Sequence, residues 1–352
     1  MGMTRKDFLF AAVAAGTSFA FGAAPKAGKR SLLKVGIMSD IHVRRGADVN
    51  TGADGWGADD FEKVIAAYRD MGADAIMLPG DMADWGLVSQ LVEVGKAWER
   101  VFPNDCGLGG RKVEKLFIYG NHDRYPAFFF SEKNLVKRYM GLEDQAARDE
   151  YAKTGGISVD CAKAWDKAFH EAWNREYVKT VNGFTFIAAN WGSAGGRAAA
   201  FVSKVAPKLD PKKPFFFFQH RALGGTCWAE RGIPKPSLDA DGGETTKVLS
   251  AYPNAISFAG HNHYTLTDPG VVWHGPFTAF GCSSLRFVNK VPPGGGWPKG
   301  TTWRDKAFGG GPQSMFMTVY EDEVVVESHR WDMKSGTPAE LIPAWHVRRP
   351  VV

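Results

Sequence analysis

Five short strings between residues 40 and 263 are rich in the side chains that bind metal ions. Each string follows an apolar, strand-like run, so each is expected at the end of a strand. Carboxylate oxygens and imidazole nitrogens in such places are the ligands that a pair of divalent metal ions requires. A two-metal site indicates in-line displacement at an activated ester, usually a phosphate ester. The strings read Ser39-Asp40-Ile41-His42, Gly80-Asp81-Met82-Ala83-Asp84, Gly120-Asn121-His122-Asp123, Gln219-His220 and Gly260-His261-Asn262-His263.

Predicted strands and helices alternate along the first third of the chain. Apolar runs predict strands at Leu32–Ser39, Ala73–Leu78 and Lys115–Tyr119. Apolar residues at helical spacing predict helices at Asp59–Met71 and Gly86–Val101. This alternation predicts parallel strands with crossover helices, and in such sheets the chemistry gathers beyond the carboxyl ends of the strands.

Asp40, Asp81 and Asn121 follow these three strands at intervals of about forty residues, one strand–helix unit each. The regular spacing is the strongest indication that the three residues converge in space. Two residues that lie two apart, such as Asp40 and His42, are expected to point into one site because a strand alternates its faces. The carboxylate of Asp81 can bridge two cations, since its two oxygens offer several lone-pair sites.

Later segments predict more strands. Asn182-Gly183 indicates a turn at the start of the strand Val181–Asn190. Phe215–Phe218 is too apolar for an exposed strand and is expected in the centre of a sheet. Ala255–Ala259 and Phe277–Gly281 continue the sheet, and residues 315–331 predict a hairpin.

In their order, the five strings resemble the motifs of the calcineurin-like metallophosphoesterases: D-x-H, G-D-x-x-D, G-N-H-D, H and G-H-x-H. The resemblance implies an α/β fold with a central β-sandwich of two mixed sheets, flanked by helices, over residues 32–331. Residues 131–180 are polar, charged and aromatic, with helical stretches, and we interpret them as a helical insertion that caps the site. Residues 332–352 are expected to form a C-terminal tail.

The resemblance also implies a role for each motif residue. Two metal ions, of Fe, Mn or Zn, would position a metal-bound hydroxide that attacks phosphorus. The ligands of the first metal would be Asp40, His42 and His263. The ligands of the second would be Asn121, His220 and His261. Asp81 would bridge the two.

His122 follows a ligand and is therefore expected to lean away from the metals, over the substrate. The family resemblance assigns it the role of general acid toward the leaving alkoxide. Asp123 is expected to hold the His122 imidazole in its tautomer, and Asp84 to support a ligand rather than bind metal. Three arginines that follow motifs are candidates for binding phosphate oxygens, or alternatively for surface salt bridges. They are Arg44, Arg124 and Arg221.

The N-terminus has the layout of an export signal. Arg5 and Lys6 precede an apolar run of small residues from Phe8 to Ala24, which is short for a membrane span of about 20 residues. We interpret residues 1–24 as a cleaved signal, so the protein is expected in the periplasm or outside the cell with no membrane span left. Arg5-Lys6 stands where a twin-arginine signal has two arginines, so the export route, twin-arginine or general secretory, is left open. The alternatives to a cleaved signal are an uncleaved anchor and a disordered tail.

Composition narrows the choice of partners. The formal net charge of +5 comes without a dense Lys/Arg tract, which argues against a nucleic-acid partner. A small-molecule phosphate ester is expected as the substrate, with diesters slightly favoured. The alternatives are a nuclease of the same fold and a non-enzymatic metal-binding surface protein. The four cysteines are compatible with disulfides or with free thiols.

Overall fold

The computed structural model describes residues 29–47, 49, 56–124, 133–193, 196–227, 241–288 and 311–348. The expected export signal lies outside these residues. The strands are β1 (Leu33–Ile37), β2 (Ala75–Pro79), β3 (Glu114–Ile118), β4 (Glu176–Val181), β5 (Phe184–Ala189), β6 (Phe215–Gln219), β7 (Ala255–Ala259), β8 (Val272–His274), β9 (Thr278–Gly281), β10 (Gln313–Val319), β11 (Glu323–Asp332) and β12 (Thr337–Arg348). The α-helices are α1 (Asp59–Asp70), α2 (Val88–Val101), α3 (Asn121–Arg124), α4 (Lys133–Met140), α5 (Gln145–Lys153), α6 (Cys161–Phe169), α7 (Gly196–Val205) and α8 (Glu244–Leu249).

The strands form two six-stranded mixed sheets. The first has the order β12-β11-β10-β1-β2-β3, and the second has the order β4-β5-β6-β7-β9-β8. Strands β1, β2 and β3 run parallel, as their crossover helices predict, and β5, β6, β7 and β9 run parallel in the second sheet. The predicted β-sandwich is therefore confirmed, with the phenylalanine-rich β6 in the interior of its sheet.

Three apolar layers hold the sandwich together. Side chains such as Val35, Met77, Phe216 and Phe258 fill the space between the two sheets. Helices α1, α2 and α6 cover the outer face of the first sheet, and α7 and α8 cover that of the second. Burial of each large side chain stabilises the fold by about 1.5–3 kcal/mol, so the sandwich is a rigid platform for the loops at its edge.

The segment between β3 and β4 contains the predicted helices as α4, α5 and α6. Helix α6 packs so closely on α2 that a Cβ on Gly95 would lie 1.9 Å from Ala168 O, which makes α6 part of the helical layer. Helix α4 places Val136 and Tyr139 in a small apolar cluster with Trp85. A covering role for this segment stays a prediction.

The predicted C-terminal tail is wrong for residues 337–348. These residues form β12, which pairs antiparallel with β11 at the edge of the first sheet. Pro338 and Pro343 interrupt the apolar alternation that marks a strand. An edge strand tolerates proline because one row of its N–H groups has no partner in the sheet.

Two connections predicted from the sequence join antiparallel strands. The turn at Asn182-Gly183 joins β4 and β5, and the hairpin predicted over 315–331 is present as β10 and β11. All four cysteines are free thiols, three of them buried. Within the described ranges, no helix is both long and apolar enough to cross a lipid bilayer.

Candidate metal centre

The carboxyl ends of five parallel strands meet at one edge of the sandwich. Three of these strands, β1, β2 and β3, belong to the first sheet, and β6 and β7 belong to the second. The chain leaves each strand through a turn that carries one of the sequence motifs. The structure thereby brings all seven predicted ligands together: Asp40, His42, Asp81, Asn121, His220, His261 and His263.

Left-handed backbone, rather than strand alternation, aims most of these side chains. The φ angles are 54° at Asp40, 46° at His42 and 54° at Asp81. They are 72° at His261 and 55° at His263. Non-glycine residues adopt this region only at a cost of about 1–3 kcal/mol each, and such strain concentrates at functional sites. The expectation that Asp40 and His42 converge was right, but its stated reason was wrong because both residues lie beyond β1.

Two motif glycines allow the turns to approach one another. A Cβ on Gly120 would lie 2.1 Å from Asp81 Oδ1, and one on Gly260 would lie 2.5 Å from Asp40 Oδ2. Any side chain at either position would displace a carboxylate. The glycines therefore matter because of close packing against ligands.

One group of donor atoms, which we call the first group, comprises Asp40, His42, Asp81 and His263, whose ligand atoms all lie within 4.8 Å of one another. His263 Nε2 is 2.8 Å from Asp40 Oδ1 and 3.3 Å from His42 Nε2. His42 Nε2 is 3.8 Å from Asp81 Oδ2. Two imidazole nitrogens and two carboxylates facing one point have the donor chemistry of a transition-metal or zinc site.

The second group comprises Asp81, His220 and His261, again within 4.8 Å of one another. His220 Nε2 is 3.2 Å from Asp81 Oδ2 and 3.1 Å from Asn121 Oδ1, so the amide oxygen joins this group. Asp81 is common to both groups. The donor set therefore fits two cations that share one carboxylate.

Backbone and side-chain acceptors orient three of the histidine rings. His220 Nδ1 lies 2.6 Å from Pro79 O, and His263 Nδ1 lies 3.1 Å from Phe287 O. His42 Nδ1 lies 3.1 Å from Asp84 Oδ1. A carbonyl or carboxylate oxygen accepts a hydrogen bond, so each ring donates from Nδ1 and directs its Nε2 to the cluster.

The buried carboxylates favour positive charge in the cluster. Burial would lower the pKa of His42, but hydrogen bonds to Asp40 and Asp84 raise it to about 10. Burial would also lower the pKa of His220, which the charge of Asp81 raises to about 9. Burial would raise the pKa of Asp81, yet the surrounding imidazoles hold it below its ordinary value. The cluster therefore stabilises cations, whether protons or the metal ions that replace them.

His122 lies beside the cluster, with its side chain 31% exposed. Its ring is perpendicular to that of His42, with a centroid separation of 4.7 Å. His122 Nδ1 lies 2.6 Å from Asp84 O, so the carbonyl oxygen fixes the tautomer. Asp84 thus supports His42 through its carboxylate and His122 through its backbone.

Asp123 does not hold the His122 ring, contrary to the expectation from the sequence. Its two oxygens accept hydrogen bonds from the backbone N–H groups of Ala83 and Gly120, at 2.7 and 2.8 Å. Burial and, secondly, the charge of Asp81 raise the pKa of Asp123 to about 7. The role of Asp123 is to tie the turn after β2 to the turn after β3.

Arg44 is engaged by the protein itself. Its Nε and Nη2 both lie 2.8 Å from Asp84 Oδ2, and its guanidinium stacks 3.9 Å from the Trp56 ring centroid. Trp56 Nε1 in turn donates to His42 O at 2.5 Å. These contacts make Arg44 a support for Asp84 rather than an open phosphate-binding group.

Arg124 and Arg221 both contact Trp191. Arg124 Nη1 donates to Trp191 O at 3.0 Å, and the Arg221 guanidinium lies 4.5 Å from the Trp191 ring centroid. The ring itself lies 5.7 Å from those of His220 and His261. Two cations and an indole therefore form a wall next to the second group.

Sequence reasoning missed the segment from Ser284 to Phe287. Ser284 Oγ donates to Asp40 O at 2.8 Å, and Phe287 accepts from His263 through its carbonyl oxygen. The segment follows β9, so the rule that chemistry gathers beyond strand ends applied here too. The sequence alone does not indicate this segment, because serine, arginine and phenylalanine do not form a metal-ligand motif.

Two solved structures share this fold. The purple acid phosphatase PPD1 from seeds of yellow lupin (Lupinus luteus) is similar with a TM-score of 0.54 and 16% identity, over 95% of this chain and 56% of the lupin chain. The structure of PhoD is similar with a TM-score of 0.50 and 8% identity, over 93% of this chain and 71% of that one. This chain thus spans little more than half the length of the lupin phosphatase. No curated protein sequence matches it.

A sequence comparison identifies the family. The model that describes the calcineurin-like phosphoesterases matches residues 33–264, a span that contains all five motifs. This range is more than half of the 352 residues. The chain belongs to the calcineurin-like phosphoesterase family.

Proposed function

We propose that this protein is an exported enzyme that hydrolyses a small-molecule phosphate ester, with diesters favoured, at a centre of two metal ions. The observation that carries the proposal is the position of Asp81, whose Oδ2 lies 3.8 Å from His42 Nε2 and 3.2 Å from His220 Nε2. One carboxylate between two groups of imidazoles is the arrangement that a two-metal hydrolase needs.

Each of the two groups of ligands would hold one metal ion. Asp40, His42 and His263 would bind the first ion, and Asn121, His220 and His261 the second, with Asp81 between them. When bound, such ions act as Lewis acids toward phosphate oxygens and lower the pKa of water. The amide of Asn121 adds a ligand without charge, so the centre keeps a positive balance toward an anionic substrate.

His122 supplies the proton that the leaving group needs. Water attacks phosphorus in line with the ester oxygen and releases a proton to solvent, a new P–O bond forms, and the bond to the leaving oxygen breaks. Because the Nδ1 proton is directed at Asp84 O, the proton transferred to the leaving alkoxide comes from Nε2 of the doubly protonated ring, which is left as the neutral Nδ1–H tautomer. The ring is 31% exposed, so a leaving group can approach it.

Arg124 and Arg221 are the arginines that we assign to the substrate. Their shared contact with Trp191 places both next to the second group, where a guanidinium can pair with phosphate oxygens. Arg44 loses this assignment because two of its nitrogen atoms contact Asp84.

An activity panel on the metal-analysed protein tests the proposal. Purified mature chain is expected to contain about two equivalents of Fe, Mn or Zn and to hydrolyse aryl phosphate diesters faster than monoesters. Activity against nucleic acid alone would favour a nuclease, and bound metal without any esterase activity would contradict an enzymatic role. Export has its own test, because N-terminal sequencing of secreted protein should begin after residue 22 or 24 and not at Met1.

A further inference from the structure

The segment from Ser284 to Phe287 is fastened to two ligands of the first group. Ser284 Oγ donates to Asp40 O at 2.8 Å and accepts the backbone N–H groups of Arg286 at 3.0 Å and Phe287 at 2.9 Å. The Phe287 ring stacks on His263 with an interplanar angle of 7°. The backbone of Arg286 is thus held at a fixed distance from the metal ligands.

The side chain of Arg286 is also fixed. Its guanidinium lies 4.0 Å from the centroid of the Trp56 ring, and that of Arg44 lies 3.9 Å from the same centroid. One face of an indole cannot hold two guanidinium groups at this distance, so the two arginines occupy opposite faces. Trp56 Nε1 donates a hydrogen bond to His42 O, which places the stack of Arg44, Trp56 and Arg286 at the rim of the first group.

The two arginines differ in how their charge is balanced. Arg44 makes two contacts of 2.8 Å with the carboxylate of Asp84. Among the described residues, Asp60 is the carboxylate that contacts Arg286, at 3.4 Å, which is long for a charge-assisted hydrogen bond, and both side chains of that pair are about one third exposed. Burial lowers the pKa of Arg286, the charge of Asp60 opposes this only in part, and the charge of Arg44 lowers the pKa further, so a further negative charge nearby would be stabilised.

We propose that Arg286 binds a second anionic group of the substrate, distinct from the phosphate that is hydrolysed. The substrate class is then a small phosphate ester whose organic part carries a carboxylate or a further phosphate. The guanidinium fork can pair with either group through two N–H donors, and Trp56 holds the fork in place. This inference rests on the proposed phosphoesterase activity.

The test compares matched aryl phosphate esters with and without an anionic substituent on the ring. The series contains the unsubstituted ester, its 3- and 4-carboxy derivatives and the ester with a second phosphate, each as monoester and methyl diester. Arg286→Gln is expected to lower kcat/KM about tenfold for the anionic esters and less than about twofold for the unsubstituted one. Arg286→Lys should restore part of the loss because it keeps the charge without the fork.

Two further variants complete the design. Arg197→Gln removes an exposed arginine that contacts Glu176 at 3.3 Å, and it should leave every ester unaffected. Asp60→Asn removes the competing carboxylate and should raise kcat/KM for the anionic esters a few-fold. Metal content and thermal midpoint are recorded for each variant to establish that it is folded.

The outcomes distinguish failure of the proposed phosphoesterase activity from failure of the anion-binding role of Arg286. A wild-type enzyme that hydrolyses none of the esters contradicts the phosphoesterase proposal itself. A wild-type enzyme that is active, but whose Arg286→Gln variant loses activity equally on all esters or on none, overturns the anion-binding role. The derivative that shows the larger selective loss identifies the second group as a carboxylate or a phosphate.

Discussion

The two halves of the metal centre are supported in different ways. In the first group, a charged network of Asp84 and Arg44 orients His42, and Ser284 holds the backbone of Asp40. In the second group, a backbone carbonyl orients His220 and the ring of Trp191 packs nearby. Both halves have backbone and aromatic contacts, since Phe287 supplies both to His263, and the first half adds the charged network.

The first group also has more negative charge than the second. The first group has the carboxylate of Asp40 in addition to its share of Asp81, whereas the second combines its share of Asp81 with the neutral Asn121. Coulomb attraction for a cation is therefore greater in the first group. We expect the first cation to be retained more firmly and the second to exchange more readily.

Asp81→Asn should have the largest effect, because it removes the carboxylate that both halves share. We expect kcat/KM to fall roughly 10⁴-fold, together with loss of metal from both groups, as groups that act as a unit fail together. Kinetics and elemental analysis of the same preparation measure both quantities. Asp332→Asn is the control, since Asp332 is exposed on β11. Retention of two tightly held ions in Asp81→Asn would refute the shared carboxylate.

His122→Ala should lower kcat while leaving both halves loaded. The expected decrease is about 10²–10⁴-fold, the usual contribution of a general acid. The decrease should be smallest for esters with good leaving groups such as p-nitrophenolate, because these leave without a proton. An equal loss of metal and activity would instead make His122 a structural residue of the centre.

Asp84→Asn should weaken metal binding in the first half of the centre and not in the second. Losing the charged acceptor of His42 is expected to weaken metal binding in the first group by about 10–100-fold, while the second group is unaffected. A titration of apo-protein with Zn²⁺ would resolve the two affinities. Equal weakening of both sites, or of the second alone, would contradict the assignment of Asp84 to the support of the first group.

Trp191→Leu should have the smallest effect of these substitutions, and the effect should be confined to the second half of the centre. Removing the indole takes away the ring on which Arg221 stacks, so KM is expected to rise by about 3–10-fold, in line with about 1 kcal/mol for a stacked cation. The affinity for the first metal should not change. Phenylalanine at the same position is the matched control because it keeps an aromatic face.

The motifs and their place at strand ends were predictable from the sequence because strand periodicity and ligand chemistry are both local properties. Asp40, Asp81 and Asn121 fall beyond parallel strands as expected. The partner of His122 was not predictable, since the choice between Asp123 and the carbonyl of Asp84 depends on how two turns meet. The roles of Trp56 and Ser284 also depend on tertiary packing between distant segments.

The C-terminal part of the fold shows the same limit. Strand β12 exists because β11 offers it an edge, although its own residues include two prolines and little alternation. The left-handed φ angles of the ligands likewise come from packing between turns, which no local pattern records.

A crystal structure of Mn²⁺-loaded protein, with anomalous scattering recorded at the manganese edge, would show whether Asp81 lies between two metal ions. We expect two anomalous peaks about 3.5–4 Å apart, one on each side of the Asp81 carboxylate. A single peak, or peaks that lie away from Asp81, would contradict this arrangement.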